Sequence, residues 1–168
     1  MAGWSKQIFS AMLFFAYLAS SSSLMAGPIH EAAKVGEVAQ VELLIEAGAD
    51  VDERDAGSKT ALHWAADLGH IDVVQVLVAN GTNVDAKDFS GMTGLFLASL
   101  GSHEGIVRLL IAEGANVNAK DMEGMTALDG AYMRGINASI VEMLKRADAN
   151  CGTNQQYSKW CKAAEVSE

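Results

Sequence analysis

Apolar residues follow two unlike patterns along this chain. From Ile8 to Ala19 they run almost unbroken, IFSAMLFFAYLA, between the lone cation Lys6 and the small polar stretch Ser20 to Ser23. After residue 26 they are interspersed with charges and return every 33 residues. Ile29, Leu62, Leu95 and Leu128 keep that step, as do Ala32, Ala65, Ala98 and Ala131, and Val41, Val74, Val107 and Ile140. Thr60, Thr93 and Thr126 share it, with Gly48, Gly81 and Gly114, and Val51, Val84 and Val117. The step reads as constant along the whole repeat, without an insertion.

A period of this length marks stacked supersecondary units, each too small to bury its own apolar face and each covering its neighbour's. In the second unit, Ala65 and Ala66 sit in a helical context that Gly69 stops. A second helix is predicted from about Ile71 to Val78, with Val73, Val74, Leu77 and Val78 at helical spacing and Gly81 at its end. The next loop holds Asn83, Asp85, Asp88 and Gly91, types that accept tight-turn dihedrals and bond their own backbone. The fold class predicted is an all-α solenoid of about four helix-turn-helix units with projecting β-turns or hairpins, divided 27–54, 55–87, 88–120 and 121–150. Beyond Asn150 the pattern stops. Tyr157, Trp160, Cys161 and Ala164 recur at helical spacing, so residues 151–168 are expected to form a cap with a short amphipathic helix.

The residues carrying the repeat resemble the ankyrin motif. Asp55, Ser58, Thr60, Leu62, His63, Ala65, Ala66, Gly69 and His70 match it in the second unit, and Asp88, Gly91, Thr93, Leu95, Ala98 and His103 in the third. The fourth keeps Asp121, Gly124, Thr126, Leu128, Ala131 and Gly135, while the first starts midway with Pro28, His30, Ala32, Ala33, Gly36, Gly48 and Ala49. Five departures stand out. Gly94 replaces the usual proline, Phe96 the histidine, and Ser102 the glycine, which predicts a weakened or shortened first helix in the third unit. The fourth unit has Asp129 in place of histidine and Ala147 in place of the closing glycine, changes that suit a terminal unit.

The apolar run near the N-terminus has the layout of a secretory signal peptide, residues 1–26, with cleavage expected between about 21 and 26. Crossing the hydrocarbon core takes roughly 20 apolar residues, more than this run offers. An uncleaved membrane anchor remains the alternative, because no charge interrupts the chain from Gln7 to Ile29. The expected location is therefore secreted or periplasmic, or membrane-anchored if the leader is retained.

Losing Lys6 with the leader moves the formal net charge one unit beyond -9. A surface this acidic argues against nucleic acid, whose phosphates need clustered Lys and Arg. Cys151 and Cys161 are the two cysteines of the chain. In an oxidising compartment they are expected to form a local disulfide, the alternative being two buried thiols. Zinc is disfavoured because a structural site needs four ligands and no histidine lies nearby in the sequence. His30 and His63 share one repeat position and His70 and His103 another, which sets each pair roughly 10 Å apart, too far for joint ligation. The resemblance implies that these histidines bond backbone in and between units. Neither a nucleophile elbow, a phosphate loop nor an HExxH stretch is present, so no enzyme, cofactor or small-molecule substrate is expected. An accessory subunit of a metal-dependent enzyme is the rival reading.

The resemblance implies a non-enzymatic scaffold or inhibitor that binds another protein on the concave face, through the turn tips and the exposed side of each first helix. Those positions are Lys59, Asp67 and Leu68 in the second unit, and Lys87, Phe89, Met92 and Leu100 in the third. The fourth adds Lys120, Met122, Met125, Met133 and Arg134. Tips are free to be polar, yet Phe89, Met92, Met122, Met125 and Met133 are apolar, and Met suits pliable binding surfaces. They are expected to form an apolar patch rimmed by Lys87, Lys120 and Arg134, or else to fold back and stiffen the row of turns.

Overall fold

A computed structural model describes residues 27–133, 137–154 and 158–165. The expected leader lies outside the described residues, as do Arg134, Gly135 and Tyr157. The first unit contains α1 (Pro28–Val35) and α2 (Val38–Glu46), the second α3 (Ala61–Leu68) and α4 (Ile71–Ala79). The third contains α5 (Gly94–Leu100) and α6 (Glu104–Ala112), the fourth α7 (Ala127–Met133) and α8 (Ala138–Arg146). A last helix, α9 (Lys159–Glu165), follows. Among the described residues there is no strand; the projecting segments are tight turns. The fold is the all-α solenoid expected.

Helix ends follow from the local sequence. Thr60 is extended at φ -92°, ψ 171°, and donates its N–H to His63 Nδ1 at 3.0 Å, which satisfies one of the orphan donors at the start of α3. Gly69 ends α3 at φ 83°, its N–H bonding back to Ala65 O. A Cβ there would also lie 2.6 Å from the His103 ring, so the next unit's histidine claims the space.

Ala65, Ala66 and Ala98 are wholly buried, and the small side chains let the first helices of adjacent units pack more closely than the second helices do. The stack therefore curves with the first helices inside. Leu62, Leu95 and Leu128 fill the inner layer, and Leu77, Val107 and Leu110 the space between it and the second helices.

Three columns of hydrogen bonds cross the layers. Asp52 Oδ1 accepts from Thr82 Oγ1 at 2.7 Å, Asp85 Oδ1 from the N–H of Asn116 at 2.8 Å, and Asn118 Oδ1 from that of Asn150 at 2.7 Å. The turns join through Phe89 N–H to Gly57 O and Met122 N–H to Ser90 O, both 2.9 Å. Arg54 donates to Lys87 O at 2.6 Å and Lys87 Nζ to Lys120 O at 2.7 Å. Asp52 and Asp85 are thus inter-unit acceptors as well as turn formers.

The constant step is corrected in the fourth unit, where the register slips by one residue. The buried series Leu44, Leu77 and Leu110 continues at Leu144, and Thr82 and Ala115 continue at Ala149. The caps agree, since His70 and His103 precede α4 and α6 while Asn137 precedes α8. The extra residue falls between α7 and α8. The missing closing glycine is accordingly not at Ala147, which sits at φ -94°; Asp148 takes the left-handed place of Gly81 and Gly114, at φ 60°.

The third unit departs as its residues predict. Its first helix stops at Leu100, Gly101 stays helical at φ -75°, and Ser102 adopts the left-handed turn at φ 61°. At the far end α9 packs on α7, and Cys151 and Cys161 are joined in a disulfide. The C-terminal segment covers the last layer as a cap.

Candidate functional site

The turn tips of the second, third and fourth units are each built by an aspartate, Asp55, Asp88 and Asp121. Asp88 Oδ1 accepts N–H bonds from Ser90 and Met92, both 2.9 Å, and Asp121 Oδ1 accepts from Glu123 at 2.9 Å and Met125 at 2.8 Å. Each carboxylate folds its turn so that the residue immediately after it projects. Those residues are Phe89 and Met122, which are 74% and 76% exposed, with Ala56 exposed at the same place in the second unit. The bond from Met122 N–H to Ser90 O sets the two projecting turns side by side.

Met125 is a correction. Expected at the exposed tip, it is only 7% exposed and packs with Phe96 and Leu97, flanked by the half-buried Met92 and Leu100. The cause lies one unit back. His63 Nε2–H donates to Met92 O at 3.1 Å, whereas Phe96, in the equivalent position, has no polar edge, and apolar side chains close over it instead. Gly130 leaves room at the position that Trp64 and Leu97 fill in the units before. Of the methionines expected at the patch, Met122 and Met133 are exposed, while Met92 and Met125 belong to this secondary core.

Lys34, Lys59 and Lys87 are engaged in the fold. Lys59 Nζ and Lys34 Nζ each lie 4.3 Å from the centroid of the Trp64 ring, a cation–π arrangement. Trp64 Nε1–H donates to Asp55 Oδ2 at 3.0 Å. Burial works to raise the Asp55 carboxyl, but N–H donors from Lys59, Trp64 and Gly57 outweigh it and hold the group below its ordinary 3.8. Lys87 and Lys120 are exposed, with the Lys87 ammonium spent on Lys120 O. Asp67 is half-buried and its carbonyl accepts from His103 Nε2 at 3.0 Å. Leu68 is exposed beside it. Val35 and Leu43, exposed on the first unit, were not among the expected positions, although Val35 lies one repeat before Leu68 and shares its place on the first helix.

The histidines bond backbone. His30 Nε2 meets Glu53 O at 2.8 Å, His70 Nε2 meets Lys34 O at 2.9 Å, and His63 and His103 do likewise. A family model described as ankyrin repeats in three copies matches residues 14–88 and 84–155. The chain belongs to the ankyrin-repeat family. No match was found among curated proteins. Ankyrin repeats generally bind other proteins and are typically non-enzymatic, so the family sets this chain among interaction modules. The ankyrin match begins at residue 14, inside the apolar run read as a leader.

The fourth unit of this ankyrin stack repeats the bond from the N–H three residues before the histidine position, as at Gly27–His30 and Thr60–His63, but makes it to a carboxylate. Asp129, in the histidine position, is fully buried. Its Oδ2 accepts from Thr126 N–H at 2.8 Å and Gly152 N–H at 2.7 Å, while the single Thr126 Oγ1 proton is shared between this oxygen, at 3.1 Å, and the nearer Asn150 O, at 2.8 Å. It lies against the disulfide, where the sequence gives no hint of it: Asp129 is remote from both cysteines along the chain.

Proposed function

We propose that this protein is an exported, non-enzymatic scaffold or inhibitor that holds a partner protein at the projecting turns of its third and fourth units. The observation that carries the reading is the pairing of Phe89 and Met122, two large apolar side chains left in solvent on adjacent turns. Exposed apolar groups grouped beside charged ones mark interaction sites, and aromatic anchors contribute most to such contacts. Met133 and Leu68 are further exposed apolar residues, at the ends of α7 and α3, and Lys120 is exposed just before the turn that carries Met122. Export is supported by the leader-like run before residue 27 and by the disulfide, since such bonds persist in oxidising compartments.

The test is recovery of partners by crosslinking from the native compartment with the wild type and the Phe89→Ser, Met122→Ser double variant. Loss of a specific crosslinked protein with the fold unchanged supports the reading; equal recovery by both proteins ends it.

A membrane-tethered scaffold is the second reading, favoured by the uncharged stretch from Gln7 to Ile29. No helix among the described residues is long and apolar enough to cross a membrane. Mass spectrometry of the mature N-terminus separates the two.

A further inference from the structure

Asp129 has one oxygen fully employed and one idle. Oδ2 accepts N–H bonds from Thr126 and Gly152, while Oδ1 is buried and has no hydrogen-bond partner among the described residues. Leaving a carboxylate oxygen without a hydrogen-bond partner in the interior is costly, so Oδ1 keeps the capacity to take a further ligand. A carboxylate oxygen of Asp129 and the sulfurs of Cys151 and Cys161 all lie within 4.8 Å of one another.

We propose that reduction of the Cys151–Cys161 disulfide turns these three residues into a binding site for a thiophilic divalent cation of the zinc class. It is a site distinct from the turn tips, does not depend on the binding proposed for them, and forms only where the chain meets a reductant, not in the oxidising compartment in which the disulfide persists.

A dithiol reductant gives two electrons and two protons to the disulfide and is itself oxidised to a disulfide, leaving Cys151 and Cys161 as thiols. The cation then displaces both thiol protons and bonds the two thiolates and the carboxylate. Zinc takes sulfur at about 2.3 Å and carboxylate oxygen at about 2.0–2.2 Å, so tetrahedral ligand atoms lie roughly 3.5 Å apart. Once the sulfurs are unbonded, shifts on the order of 1 Å reach that arrangement. Two thiolates and a carboxylate around a dication leave one net negative charge, far easier to bury than three separate anions.

The carboxylate is already oriented. Thr126 and Gly152 pin Oδ2, the kind of outer-shell bonding that fixes a ligand's direction in metal sites. Cys161 is fully buried and Cys151 half-buried, so the ion approaches from the Cys151 side, and water completes the fourth position. The disulfide and the metal exclude each other, and the cap is closed by one or the other.

The experiment uses the full chain, reduced and freed of reductant without oxygen, with Co²⁺ as spectroscopic probe and Zn²⁺ as competitor. Expected are one equivalent of bound Co²⁺, a sulfur-to-cobalt charge-transfer band, tetrahedral d–d bands, and loss of all three on adding Zn²⁺. The oxidised protein gives none of them. Asp129→Asn keeps the shape and removes the charge, and is expected to weaken Co²⁺ binding by about tenfold or more. An absent charge-transfer band in reduced wild type overturns the proposal, as does unchanged affinity in a folded Asp129→Asn variant. Should that variant not fold, X-ray absorption of the reduced wild-type zinc form decides. Two sulfurs per zinc support the site, and none, or four shared between two chains, overturns it.

Discussion

His63 Nε2–H donates to the carbonyl of Met92 at 3.1 Å, a bond that ties the start of α3 to the turn of the next unit. Burial lowers the His63 pKa below its ordinary 6.5, although the bond to Met92 and the charge of Asp88 pull the other way. The folded state therefore holds the ring neutral while the unfolded chain takes up a proton. Stability from this group is complete above about 6.5 and declines as pH falls from there toward the lower folded value. Urea midpoints should fall across this window in the wild type, with a shallower slope in His63→Gln. A flat wild-type profile contradicts the assignment. Asp55, also lowered, acts in a separate window that opens only below about 3.8.

The register slip in the fourth unit gives a paired prediction. Asp148 sits at φ 60°, where a side chain is strained, whereas Ala147 at φ -94° is relaxed. Asp148→Gly should stabilise by about 0.5–1 kcal/mol, and Ala147→Gly should destabilise by a similar amount. Had the 33-residue step held, the signs would be reversed; thermal melts of the two variants decide.

Met125 and the projecting pair should respond in opposite ways. Truncating Met125 to Ala removes a buried side chain and should cost about 2–3 kcal/mol in urea unfolding. Phe89→Ser and Met122→Ser should each change stability by no more than about 0.5 kcal/mol, because both side chains are in solvent. A large loss from either tip variant shows that its side chain folds back.

The disulfide closes a short loop, with its cysteines 10 apart in sequence. In metal-free buffer, reducing it should lower stability by about 2–3 kcal/mol through the freedom returned to the unfolded chain. The loss should be greatest at the cap. Hydrogen exchange should rise in α7 and α9 before it rises in α3, and uniform acceleration along the stack counts against the cap's role.

Much of this architecture was legible in the residue pattern, because repeating contacts impose repeating residue types. Leu62, Leu95 and Leu128 each meet the same neighbours one layer apart, so their spacing reports the stacking directly. Cys151 and Cys161 announced a local staple in the same way. Ser102 beside Gly101 even marked where α5 stops short.

What the pattern left undecided depends on contacts between residues far apart in sequence. Whether a methionine on a turn faces solvent or core was settled by Phe96, a side chain in the preceding unit, which drew Met125 inward and left Met122 out. The slip at α7–α8 was hidden because Ile140 and Val141 are adjacent apolar residues, so either satisfied the step, and only packing against the third unit chose between Met143 and Leu144. Asp129 and the two cysteines meet because the cap folds back over α7. Local sequence thus determined the helices and their order, while the side chains that each layer presents to the next decided register, exposure and the site beneath the cap.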